Sequence, residues 1–292
     1  TSETDPLRLA LATKADASVY GKITNARQVT TTTVDSNPAD YKASGFALVG
    51  TEVWAFIGRD VYSWNYGTAS WNKQTQPVNA ANIYRNGVEF SGNTVAPSWQ
   101  TSDDTPQRYI YKADADAQWT RIGAGAATQI IGVKYLAVGK NSAGGDILWG
   151  ASVLRADATY GTNIIVSTTA PSSIATWSSE VAIGDSAAPI TGLVSDGNNL
   201  VILKTDGIWA YYSDGSTENL TPDFEGMANP NNFRGAYNWN GHVLLPLGAG
   251  GLMELSNGAL YDISLSITVP TDTTIAGKVV AIGGDPQALF IM

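Results

Sequence analysis

The sequence predicts an all-β protein, a β-propeller of six four-stranded blades, and three observations carry that expectation. Glycines recur at Gly45, Gly87, Gly132, Gly192, Gly235 and Gly277, spaced by 42, 45, 60, 43 and 42 residues, close to the period of a propeller blade. Between them one order of features returns. Gly192–Gly215 and Gly235–Gly258 each hold a short strand, a turn at Gly197 or Gly241, a hydrophobic strand, a turn at Gly207 or Gly250, and a third strand running to Asp214-Gly215 or Asn257-Gly258. A tryptophan then marks a fourth strand at Trp71, Trp119 and Trp177. No helix-period window competes with the two-residue alternation of these segments.

Each unit follows the same physical logic. Asp-Gly and Asn-Gly supply the positive φ angles that two-residue hairpins require, so hairpin follows hairpin. Gly45–Gly67 repeats the plan, with Tyr66-Gly67 at the matching place. Whole blades are expected to start near 45, 87, 132, 192 and 235. The unit from Gly132 is enlarged and admits two registers. Arg155-Ala-Asp-Ala158 resembles the turn Lys112-Ala-Asp-Ala115, which separates a third from a fourth strand; alternatively, Asn163–Ser167 is the third strand and leads to Trp177. The second register is preferred, and it assigns residues 141–161 to a loop before the third strand, a place where a propeller carries function.

The ends complete the expectation. Residues 277–292 contain two strands of a unit, and residues 7–30 resemble the last two. Together they are expected to form one composite blade, which makes residues 1–292 a single domain and leaves no long sheet edge exposed. The first residues, Thr1-Ser-Glu-Thr-Asp5, carry no initiator methionine and no signal-peptide blocks. They predict a mature, trimmed or partial chain.

Composition narrows the chemistry. A formal charge of −9 argues against nucleic acid and against anionic membrane surfaces, both of which need a basic patch. No run of 18 apolar residues is present to insert into a bilayer. The chain has no cysteine, which removes disulfides, thiolate metal sites and cysteine nucleophiles together, and one histidine, His242, so a Ser-His-Asp triad or zinc site would have to use it. His242 follows a turn and reads as structural or surface. No cofactor is expected. Asp114 and Asp116 have the spacing of calcium ligands but lack the third oxygen and the glycine of a complete loop.

Aromatic residues are the most unusual element. Trp54, Tyr62, Trp64, Tyr111, Trp149, Trp209, Tyr211, Tyr237 and Trp239 alternate with small or polar residues and read as packing between neighbouring sheets. Tyr66, Trp99, Tyr160 and Tyr212 lie at or near turns and are the candidates for contact with a ligand or partner, such as stacking on a sugar ring. Asp103-Asp104, Asp114 with Asp116, Asp206, Asp214, Asp223 with Glu225, and Glu254 are the carboxylate candidates for paired acid–base work on a glycosidic bond. Most sit in turns, where an aspartate binds its own backbone.

Two resemblances add to this reading. Ser63-Trp-Asn-Tyr-Gly67 before Trp71, and Ser167–Ser173 before Trp177, resemble degenerate forms of the aspartate-box turn of sialidases, which are six-bladed propellers; Asn65 and Thr169 stand where the aspartate belongs. That likeness implies active-site arginines gripping a carboxylate, and no sequence motif gathers three of Arg8, Arg27, Arg59, Arg85, Arg108, Arg121, Arg155 and Arg234. Residues 163–265, through Leu200–Asp223 and Tyr237–Gly248, resemble propellers encoded among virion structural genes of tailed bacteriophages and environmental viruses. This resemblance implies a non-enzymatic part of a virus particle, a tail, fibre or surface propeller, docking on other virion structural proteins or on a host-surface glycan. A secreted carbohydrate-binding propeller and a sialidase-like glycoside hydrolase are the alternatives.

Overall fold

The computed structural model describes residues 43–57, 60–74, 82–100, 105–197, 199–222, 232–233, 235–246, 252–256, 259–263, 282–284 and 289–291. Among them there is no α-helix, only a 3₁₀ turn at Ile174–Thr176. The strands fall into consecutive antiparallel units. Unit I is β1 (Ala43–Val49), β2 (Glu52–Ile57), β3 (Asp60–Asn65) and β4 (Ser70–Lys73). In unit II the first strand is split into β5 (Asn82–Tyr84) and β6 (Val88–Phe90), which both pair with β7 (Asn93–Gln100), followed by β8 (Pro106–Ala113) and β9 (Thr120–Arg121). Unit III is β10 (Ile130–Lys140), β11 (Asp146–Arg155), β12 (Tyr160–Thr168) and β13 (Val181–Ala182). Unit IV is β14 (Ile190–Ser195), β15 (Leu200–Lys204), β16 (Gly207–Tyr211) and β17 (Thr217–Asn219). Unit V is β18 (Tyr237–Trp239), β19 (His242–Pro246), β20 (Leu252–Ser256) and β21 (Ala259–Asp262). A last hairpin pairs β22 (Ile282–Gly284) with β23 (Leu289–Ile291). Residues 7–30, the other half of the expected composite blade, lie outside the described residues.

These sheets share interiors rather than owning them. Ala47, Trp54 and Phe56 of unit I pack with Tyr84, Ala96 and Ile110 of unit II. The opposite side of unit II, through Val95 and Tyr109, meets Val133, Leu148 and Val166 of unit III. Units III and IV join through Trp149, Ala151 and Ile165 with Leu200 and Ile202, and units IV and V through Val201, Leu203 and Ile208 with Val243 and Leu245. β15 shows the principle. All five of its residues are buried, because Leu200 and Ile202 point into one core and Val201 and Leu203 into the next. In β11 a bulge re-phases that alternation: Ser152 takes a left-handed φ of 53°, so Ala151 faces unit IV and Val153 faces unit II.

The recurring glycines have a cause the sequence reading missed. Gly45 and Gly132 follow a bulge two residues into the first strand of their units, not a turn. A Cβ on Gly45 would lie 2.5 Å from the backbone of Arg85, and one on Gly132 would lie 2.4 Å from the carbonyl of Gln107. At Gly132 the sheets come close enough to pair, Gly132 with Arg108, which joins units II and III into one nine-stranded sheet. The period therefore marks where the first strand of a unit crowds its neighbour, between β5 and β6 at Gly45 and at β8 for Gly132. First strands follow one another in space, β6 beside β10, β10 beside β14, β14 beside β18 and β18 beside β22.

Unit III departs from the expectation. Residues 146–155 are the second strand and not loop; only 141–145 and 156–159 are turns before the third strand, which runs over Tyr160–Thr168. The extra length goes into long strands and into the 169–180 connection before β13. The stretch looked like loop because Gly150, Ala151 and Ser152 are small. They are small because a Cβ on Gly150 would lie 2.7 Å from Val133 and 3.2 Å from the Trp177 ring.

Candidate ligand-binding face

Antiparallel meanders place their first and third turns at one end of the strands and their second turn, with the crossings between units, at the other. Contacts between units align these ends. Gly50, in the first turn of unit I, lies against Asp114 in the third turn of unit II. Asn238 of β18 donates to the carbonyl of Ser195 at 2.6 Å, linking the first turns of units V and IV. We call these the turn end and the connector end.

The connector end is closed with buried polar groups. Lys204 is fully buried and donates to the carbonyls of Ile183 at 2.9 Å and Asp185 at 2.7 Å; burial lowers its pKa from the usual lysine value, opposed by Asp206 and Asp185. Asn232 donates to the carbonyl of Thr205, and Asn163 to that of Gly184. Trp99 lies at this end of β7. Its ring is only 7% exposed, with the Arg85 guanidinium 4.1 Å and the Lys134 ammonium 4.6 Å from its centroid, and its indole donates to the carbonyl of Lys134. The expectation that Trp99 offers a stacking surface is corrected: cations already occupy it. Tyr160 also lies at the connector end, exposed at the start of β12.

The turn end holds Tyr66 and Tyr212, and there two clefts open. They flank the β10–β11 turn, residues 141–145, which stands between them. One, of about 170 Å³, lies between units III and IV and is lined by Lys140, Asn141, Trp149, Tyr211, Tyr212 and Ser213 among others. Trp149 and Tyr211 meet edge to face at 5.1 Å. The Tyr212 hydroxyl donates to Glu218 at 2.5 Å, and that bond, before burial, raises its pKa. The other cleft, of about 420 Å³, lies between units II and III against Glu89, Phe90, Val138, Asp146 and Thr169. Tyr66 is 66% exposed, packs edge to face on Trp64, and reaches the carbonyl of Thr51 at 3.4 Å. The sequence reads Trp149 and Tyr211 as packing residues and does not single out Lys140, Asn141 or Ser213; the run Asn141-Ser-Ala-Gly-Gly145 is the signal of an ordered turn.

The acidic groups do turn work. Asp157 accepts from the amide and hydroxyl of Thr159, Asp214 from those of Ser216, and these bonds hold both carboxyls below the usual aspartate range, the reverse of what a general acid needs. Asn65, in the aspartate-box-like turn, accepts from the amides of Gly67 at 2.9 Å and Thr68 at 3.2 Å, so it serves as the turn's acceptor. In the second such turn Thr168, not Thr169, accepts from Ala170. Asp116 accepts from the amide of Ala113, Asp114 is exposed, and among the described residues no three His, Cys, Asp or Glu side chains are grouped for a metal. His242, exposed at the start of the otherwise buried β19, pairs with Glu254 at 2.6 Å. Arg155 pairs with Glu180, while Arg108 and Arg121 lie close enough for Arg108, after burial, to lower the Arg121 pKa.

No protein-family profile and no curated protein matches the chain. Solved structures do. Virginiamycin B lyase from Staphylococcus aureus is 12% identical over 86% of this chain and 77% of its own, with a TM-score of 0.55. YCF48 bound to a D1 peptide is 16% identical over 87% and 76%, TM-score 0.54. The extracellular domain of a hybrid two-component system from B. thetaiotaomicron is 14% identical over 87% of this chain and 31% of its own, TM-score 0.56. At such identities the likeness is one of fold: the chain is all-β and β-propeller-like. Among the described residues no helix is long and apolar enough to cross a membrane.

Proposed function

We propose that the chain is a non-enzymatic docking propeller of six blades, the sixth closed by residues 7–30 beside β22 and β23, and that its turn end is the working surface. Closure is supported by the succession of first strands ending in β22 beside β18, and by Leu48 of β1, half-exposed on an inner strand where a sixth blade would cover it. The observation that carries the function is the pair of clefts at the turn end, one of them lined by Trp149, Tyr211 and Tyr212. Asp157 and Asp214, held in their ionised form by their own turns, are not placed to act as general acids.

The likeness of residues 163–265 to virion propellers supports assigning this surface to a virus particle, docking on other virion structural proteins or on a host glycan, without nucleic acid, membrane insertion or cofactor. The aromatic lining of the smaller cleft favours a glycan among those partners, and with it the second reading, a secreted lectin-like propeller. Cross-linking of the native source followed by mass spectrometry tests the assignment. Cross-links from the turn end to other particle proteins support it. A free monomer that hydrolyses chromogenic glycosides, sialosides included, overturns it.

A further inference from the structure

We infer that the cleft between units III and IV binds a single sugar ring of a neutral glycan, a proposal that rests on the docking reading above and names its ligand. Size sets the first limit. Whole small-molecule ligands fill pockets of ~300–1,000 Å³. At about 170 Å³ this cleft takes one ring, with the rest of the chain left in solvent.

Chemistry sets the second. The aromatic wall of Trp149, Tyr211 and Tyr212 matches the apolar C–H face of a pyranose, and polar groups at the rim match its hydroxyls. Asn141 is oriented for this: its Oδ1 accepts from the amides of Ala143 at 3.0 Å and Gly145 at 2.9 Å, which fixes the side chain and leaves Nδ2 to donate. Charge sets the third. Lys140 is charge-paired with Asp146 at 2.5 Å, and the Glu218 carboxylate that accepts the Tyr212 hydroxyl keeps its negative charge beside the cleft, so the lining offers no unpaired cation to an acidic sugar. The larger cleft across the β10–β11 turn differs, with Glu89 and Asp146 beside a single ring, Phe90.

The test uses the full chain and a panel of methyl glycosides of glucose, galactose, mannose, N-acetylglucosamine and N-acetylgalactosamine, with sialyllactose as the charged control. Binding is read by saturation-transfer NMR and calorimetry, and hydrolysis by product NMR. The expected result is binding of at least one neutral member at about 1 mM, the strength one shallow contact allows, with signal concentrated on ring C–H protons. Tyr212→Ala then weakens it about tenfold, as loss of one aromatic anchor does. Asn141→Asp, which keeps the turn acceptor and removes the donor, and Ser213→Trp, which fills the cleft from an exposed site, abolish it without depending on Tyr212→Ala folding. Tyr261→Ala, at an exposed position on β21 of unit V, leaves it unchanged. No neutral member binding, or binding that survives Asn141→Asp and Ser213→Trp, overturns the inference while the docking reading stands; turnover of any glycoside overturns the docking reading itself.

Discussion

The two ends of these strands put their polar groups to different uses. At the connector end a lysine, an asparagine and the Arg85–Trp99–Lys134 stack are buried between units, and Lys204 spans from unit IV to the crossing out of unit III. At the turn end Asn65, Asn141 and Asp214 serve their own loops, Asn238 and Thr94 bond across to the neighbouring unit, and Tyr66 reaches solvent. Cross-unit polar bonds hold neighbouring sheets at both ends, and at the turn end the loops stand around clefts.

Substitutions probe this contrast, the largest effect first. Lys204→Ala takes its donor from the buried carbonyl of Ile183 and opens a void, and it should lower unfolding free energy by about 3 kcal/mol in guanidinium melts. Ser213→Trp at the turn end should change it by less than about 0.5 kcal/mol, so similar losses for both would erase the distinction between ends. Gly132→Ala drives a Cβ into the Gln107 carbonyl and should cost about 2 kcal/mol, measured as a drop in melting temperature; a neutral result would show that units II and III are not held this close.

Two tyrosines sharpen the comparison inside unit II. The Tyr109 hydroxyl donates to the carbonyl of Pro171 at 2.8 Å and accepts the Trp177 indole N–H at 3.1 Å, so Tyr109→Phe should destabilise by about 1.5 kcal/mol. The Tyr84 hydroxyl is buried without a hydrogen bond, so Tyr84→Phe should be neutral or stabilising by up to about 1 kcal/mol. Burial raises the Tyr84 pKa from 10.0 to about 12, partly offset by Arg121. The unfolded chain then loses that proton first, and the stability the neutral phenol confers is present below pH 10 and lost as pH rises toward 12. Denaturant melts between pH 9 and 12 should show a shallower decline in Tyr84→Phe than in the parent; identical slopes would remove Tyr84 from the alkaline transition.

What could be read from the sequence depended on whether the cause was local. Hairpin chemistry at Asp214-Gly215 and the continuous apolar run of Leu200–Leu203 act within a few residues, and the strand order followed from them. Gly132 and Gly150 were visible as glycines but not as close approaches, since the atoms they avoid, Gln107 and Val133, belong to other strands. The same holds for the site. Tyr212 and Tyr66 announced themselves beside turns, as did Trp99, yet nothing in the neighbourhood of Trp99 in the chain states that Lys134 covers its ring. Trp149 and Tyr211 looked like core residues because they are that as well; only the offset between units III and IV opens part of them to the cleft.

β15 carries one more consequence. A strand whose alternate residues fill two different cores cannot be taken away without emptying both, so shortening this protein by one unit uncovers an apolar sheet rather than trimming a bead from a string. Length in such a molecule changes by whole repeats exchanged between intact neighbours, and a protease cut inside unit IV should be felt in units III and V together.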